Sequence, residues 1–138
     1  FVIKLISIRK QLPEFFSPDC IFDSQDDISK ITPSEFWIQW HGIKLNKPDW
    51  SEWSHTLGYS INKKDEGSLL WLGFNAYTDA MFFELPKPTS PWKKYIDTSF
   101  LKNKNLSKKP IDNQSNIRIE SNSIVLLIAN EYSRKIKL

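Results

Sequence analysis

The chain is 138 residues long, 40% hydrophobic and 14% aromatic, with six Trp and nine Phe. That is the length of one domain and too much apolar material for a disordered chain, so it should fold around a core. Nineteen Lys and Arg against 16 Asp and Glu leave a net charge of +3. The excess lies mainly in Lys102, Lys104, Lys108 and Lys109, in an Asn- and Ser-rich run. Without interleaved Arg and aromatics, that run reads as a solvated loop and argues against a nucleic-acid partner.

In chain order, Phe1, Leu5, Ile8 and Leu12, joined by Val2 and Ile6, fall at helical spacing, so an amphipathic helix is predicted over 1–12, stopped by Pro13. A bare apolar stripe favours association, so Leu5, Ile8 and Leu12 are expected to be buried against the rest of the chain or a second copy. The sequence opens on Phe1 in mid-helix character, with no cap, signal-peptide site or long apolar span. It reads as a cut end, with no membrane attachment. Residues 17–34, rich in Asp, Ser and Pro, read as a loop.

Beyond this the period becomes two. Residues 36–40 form an aromatic strand candidate, and His55, Leu57, Tyr59 and Ile61 alternate with small polar residues as in a half-buried strand. A polar loop over 62–67 predicts a hairpin into residues 68–76, which are apolar on both faces and so expected to be covered on both sides. Asp79 turns the chain into residues 80–85, with Met81, Phe83 and Leu85 on one face, ended by Pro86, Pro88 and Pro91. A strand over 92–97, a polar excursion over 98–114, and strands over 116–120 and 123–129 around a turn at Ser121 and Asn122 complete the pattern. One helix followed by six to eight short strands predicts a mainly β fold, an antiparallel sandwich with Greek-key or meander connections.

The search for chemistry is mostly negative. Cys20 is single, His41 and His55 stand fourteen apart without further ligand candidates, and four isolated glycines build no phosphate loop. No disulfide, metal site or cofactor is expected, and a reducing, cytoplasmic compartment is the better reading. The triplets at Asn105 and Asn113 read as chance matches to a glycosylation signal. Among the acids only Asp49, Glu84 and Asp97 lie close to aromatics, and each reads as a turn or strand-edge group rather than half of a catalytic pair. His41, beside Gly42, reads as a hydrogen-bonded turn residue. No catalytic residue is assigned.

The aromatics carry more. Trp37, Trp40, Trp50 and Trp53 crowd into seventeen residues, the last two in a Pro-Asp-Trp-Ser-Glu-Trp loop. A Trp ring can stack on the C–H face of a sugar while its N–H keeps a polar partner, so Trp50 and Trp53 are candidate glycan contacts. The alternative is that these rings seal the end of the sandwich or an interface.

Trp40-His41-Gly42, then Pro48-Asp49-Trp50-Ser51, then Ser54-His55-Thr56-Leu57-Gly58-Tyr59 resembles the junction between catalytic barrel and C-terminal domain in isoamylase-type debranching enzymes of the alpha-amylase superfamily. Ile8-Arg9-Lys10 with Pro13 is similar to the last barrel helix, with Leu12 where the family has His. Leu70 to Ala76, Phe83-Glu84-Leu85-Pro86, Trp92 to Thr98 and Ser123 to Leu127 resemble successive strands of the C-terminal domain. The Lys-rich excursion is longer and more polar than the family's.

The resemblance implies residues 1–16 as the end of a catalytic barrel, 35–132 as a C-terminal β-sandwich and 133–138 as a polar tail. It implies a parent enzyme that hydrolyses α-1,6 branch points in glycogen or amylopectin, in the cytoplasm or a plastid-like compartment. The catalytic carboxylates of the family lie on barrel strands upstream, and none maps onto this chain. The implied partners are the barrel and, through it, branched α-glucan. The readings left open beside a non-catalytic domain are an α-glucan-binding module using surface Trp and a free-standing interaction domain, with self-association of the fragment as a further expectation.

Overall fold

The structure, a computed structural model, describes residues 2–12, 36–100 and 110–129. The loop expected over 17–34, the lysine run of 102–109, Cys20 and the tail from 133 lie outside these. Helix α1 (Val2–Gln11) is followed by β1 (Phe36–His41), β2 (Thr56–Lys63), β3 (Gly67–Asn75), β4 (Met81–Glu84), β5 (Trp92–Asp97), β6 (Asn116–Ile119) and β7 (Ser123–Ala129). The described strands form two antiparallel sheets, one of five strands ordered β1-β2-β3-β7-β5 and one pairing β4 with β6. The molecule is mainly β, as expected.

The β2–β3 hairpin turns over Lys64-Asp65-Glu66, a residue or two tighter at each end than the sequence pattern suggested. Asp65 takes a positive φ of 61° and Gly67 one of 115°. A side chain on Gly67 would be strained by that φ, and its Cβ would come within 2.8 Å of the Lys87 carbonyl oxygen.

The inner face of the large sheet carries Trp71, Val125, Leu127, Trp92 and Ala129, which pack on Phe83, Leu85 and Ile119 of the β4–β6 layer. Trp71 stands edge-on to Phe83, centroids 5.8 Å apart at 74°. Fully burying one such side chain contributes about 1.5–3 kcal/mol, so this cluster is the main hydrophobic glue between the layers.

The outer face is covered differently. Ile8 of the helix and Leu12, the residue after its end, are buried there among Ile61, Leu69, Leu70, Tyr95, Leu126 and Ile128. Two register shifts shape this contact, one in the β2–β3 pairing beside Leu69 and one in the β5–β7 pairing at Tyr95. Each turns two consecutive apolar residues, Leu69 with Leu70 and Tyr95 with Ile96, toward the helix side. The sequence expectation for α1 needs one correction: Leu5 is 37% exposed, with Val2, Ile3 and Ile6 more so. Only the C-terminal turns of this ten-residue helix reach the sheet, so the stripe is half used.

Candidate functional site

Two aromatic groups lie on the loop between β1 and β2 and on the turn after β3. In the first, Trp40 points to the outer face in register with Tyr59 and Leu72. Its ring meets Tyr59 at 5.5 Å and Trp50 edge-on at 5.4 Å. Burial raises the Tyr59 phenol above its usual pKa. Trp50 thus extends the apolar row of the sheet beyond the edge strand while remaining 65% exposed.

The second group is separate. Trp53 is 79% exposed, and its carbonyl accepts the Nδ1–H of His55. The His55 ring stands edge-on to Tyr77 at 5.9 Å. The two segments meet because Ala76 donates its N–H to the His55 carbonyl at 2.8 Å, continuing the β2–β3 pairing.

Both loops are held from beneath. Asp49 accepts the Ser51 N–H at 3.0 Å, which keeps its carboxyl below the ordinary range, and Ser54 N–H closes a turn onto the Ser51 carbonyl. Buried Asn75 accepts the Tyr77 N–H and points its amide nitrogen at the carbonyls of Asp79, Ile119 and Glu120. Asn122 N–H bonds the Tyr77 carbonyl. The exposed rings stand on backbone that is locally fixed.

The other sequence candidates are engaged in local structure. Glu84 accepts the Leu45 N–H, and Asp97 accepts from Lys94 Nζ at 2.7 Å and from Ser99. His41 ends β1 fully buried, with burial lowering its pKa to about 4. Its Nε2 bonds Ser60 Oγ at 2.9 Å, and Ser60 and Ser68 both donate to Asn62 Oδ1. Asn113 accepts the Ser115 N–H in a local turn. Among the described residues no group of three or more His, Cys, Asp or Glu could hold a metal, and no helix is long and apolar enough to cross a membrane.

The family model described as isoamylase 1-3, C-terminal, matches residues 39–132. The chain belongs to that family. No curated protein matches it. The isoamylase C-terminal match begins at the Trp40-His41-Gly42 segment and runs through β7, so it spans both sheets and both aromatic groups. The chain therefore carries the C-terminal domain of an isoamylase-type debranching enzyme. Helix α1 lies upstream of the matched segment and, among the described residues, is seated on the outer face.

The sequence pairs Trp50 with Trp53 as candidate contacts, whereas the structure gives them different neighbours. His55 and Tyr77 carry no role in the sequence pattern. The signal for them was the hairpin itself: a strand over 55–61 paired with one over 68–76 brings residue 55 opposite residue 76, one short of Tyr77.

Proposed function

We propose that this isoamylase C-terminal domain is a non-catalytic sandwich that stabilises the catalytic barrel of a debranching enzyme acting on α-1,6 branch points of glycogen or amylopectin. The observation that carries this reading is the outer face of the five-stranded sheet. Ile38, Tyr59, Leu72 and Ile96 are only partly buried beside a cluster that, among the described residues, Ile8 of α1 and Leu12 just after it help to cover. Trp40 and Trp50 continue the same face past the edge. A sheet face with several partly buried apolar residues favours packing against a further layer, and chain upstream of the domain already occupies part of it. The barrel is the partner that the family implies, and the compartment is a cytoplasmic or plastid-like one.

Two experiments test this. The 138-residue chain is expected to release no reducing ends from amylopectin or pullulan, and turnover above background would overturn the non-catalytic reading. In the full-length enzyme, Leu72→Lys should lower the unfolding temperature of barrel and sandwich together. A barrel that melts unchanged in that variant would remove the stabilising role.

A further inference from the structure

We propose that residues 42–47 form an acid-released strap, which ties the edge strand β1 to the second layer while the His41 ring is neutral and lets go when that ring takes up a proton. His41 is the last residue of β1 and is fully buried. Asn46 returns to it and donates its N–H to Nδ1 of the ring at 3.0 Å, while Nε2 meets Ser60 Oγ at 2.9 Å. The strap is closed on itself by the Gly42 N–H on the Lys44 carbonyl at 3.1 Å. The fold is so tight that a Cβ on Gly42 would lie 2.4 Å from the Lys47 carbonyl oxygen. From there the strap reaches β4: the Ile43 carbonyl accepts the Glu84 N–H at 2.8 Å, and the Glu84 carboxylate accepts the Leu45 N–H at 3.0 Å. Ile43 packs against the cluster between the layers.

The ring is the catch because its Nδ1 lone pair holds Asn46. A proton at Nδ1 turns that acceptor into a donor facing another donor, so the Asn46 bond and the charged ring exclude one another. The sheet side of the ring is polar but uncharged, with Ser60 and Asn62 from β2 and Ser68 from β3. The charged groups around it are Lys44 and Lys47, exposed on the strap, and Glu84, which grips the strap at Leu45. Burial holds the closed ring's pKa at about 4 against 6.5 for a free histidine, and opening frees it. Opening is thus coupled to proton uptake, and the open population rises about tenfold per pH unit as pH falls from about 6 to 4.5. Release unties the layers at this end and frees the start of the loop that carries Trp50. The strap works inside the sandwich and does not depend on the barrel.

The test is amide hydrogen exchange of the 138-residue chain, read by NMR as protection factors between pH 7 and pH 4.5. The Asn46 and Glu84 amides are expected to be less protected than those of Leu72 and Leu127 in the central strands, whose exchange reports global unfolding. Asn46 should lose about tenfold in protection with each pH unit below 6. Glu84→Gln should keep that slope and His41→Gln should remove it, with dispersed spectra reporting that each variant is folded. Asn46 protected as strongly as Leu127 at every pH would mean that the segment opens only with the whole domain, and overturns the proposal. So does a wild-type protection that stays level as pH falls, or a slope that survives His41→Gln or is lost in Glu84→Gln, which would make a carboxylate the trigger. Where His41→Gln does not fold, the wild-type series and the ring nitrogen shifts decide: an Nδ1–H tautomer at pH 7 would leave no acceptor for Asn46 and overturn the catch.

Discussion

Asn46 donates its backbone N–H to Nδ1 of His41 at 3.0 Å, and since a backbone N–H can only donate, the ring proton of His41 is on Nε2, facing Ser60. A second proton would have to enter at Nδ1, against Asn46. Burial opposes it as well, holding the pKa near 4 against 6.5 for a free histidine. Above pH 6.5 both folded and unfolded chains carry a neutral ring, and the full stability is present. As pH falls, the unfolded chain takes up a proton that the folded one refuses, so stability is lost between about pH 6.5 and 4, by about 3 kcal/mol in all. Urea unfolding at steps across that window should show the loss, and His41→Gln should flatten it. Parallel losses in wild type and variant would assign the effect to carboxylates instead.

Trp71 and Trp92 are both fully buried, but their indole N–H groups differ. Trp92 Nε1 donates to the Pro86 carbonyl at 3.2 Å, whereas Trp71 Nε1 has no hydrogen-bond partner among the described residues. Replacement by Phe removes ring volume at either position. At Trp92 it also strands a carbonyl, while at Trp71 it deletes a donor that is already unmet. Trp92→Phe should therefore destabilise by about 1–2 kcal/mol more than Trp71→Phe in denaturant titrations. The reverse order would mean that an unseen group satisfies Trp71.

Much of this architecture is legible in the sequence because β-strands announce themselves by alternation and proline. The pattern Met81, Phe83, Leu85 against Phe82 and Glu84 gives both the strand and its buried face, and Pro86 ends it. The order of strands is not legible, since β7 inserts between β3 and β5 through contacts about fifty residues apart in the chain on one side and about thirty on the other, which no local pattern encodes. Nor are the register shifts. Residues 68–76 read correctly as apolar on both faces, but Leu69 and Leu70 share a side only because the pairing slips there. Leu5 fails for a related reason: helical spacing says which residues share a stripe, not how far along the stripe the neighbouring sheet extends.

Gly73 and Gly58 pair across β2 and β3 and both lie beside the Trp71 ring, yet they should respond differently to a methyl group. A Cβ on Gly73 would lie 2.2 Å from the Trp71 ring and 2.6 Å from Ile119 Cδ1. Both neighbours are fully buried and cannot swing away, so Gly73→Ala should cost about 3 kcal/mol. On Gly58 the nearest atoms would be His41 Cβ at 3.5 Å and the Trp71 ring at 3.6 Å, ordinary contact distances. Gly58→Ala should lie within about 0.5 kcal/mol of wild type, helped by removing a flexible glycine from a strand. Comparable losses at both positions in thermal unfolding would show that the Trp71 ring has room to move.

Asn75 joins the layers at the end that carries Tyr77. Its amide nitrogen faces the Asp79, Ile119 and Glu120 carbonyls at 2.9, 3.1 and 3.1 Å, and its oxygen accepts the Tyr77 N–H at 3.0 Å. Asn75→Ala removes the Asn75 partner from all four groups in a site where Asn75 is 2% exposed, a loss of about 2–3 kcal/mol. Asn75→Asp is nearly isosteric and should be worse at neutral pH, because it turns a donor into a carboxylate oxygen aimed at three carbonyls. That repulsion raises the pKa of the introduced acid in the folded state, so the variant gains relative to Asn75→Ala as pH falls and the protonated carboxyl becomes a donor. Denaturant titrations of both variants at pH 7 and pH 4 measure the crossing. Asn75→Asp matching Asn75→Ala at pH 7 would mean that the three carbonyls do not depend on this amide.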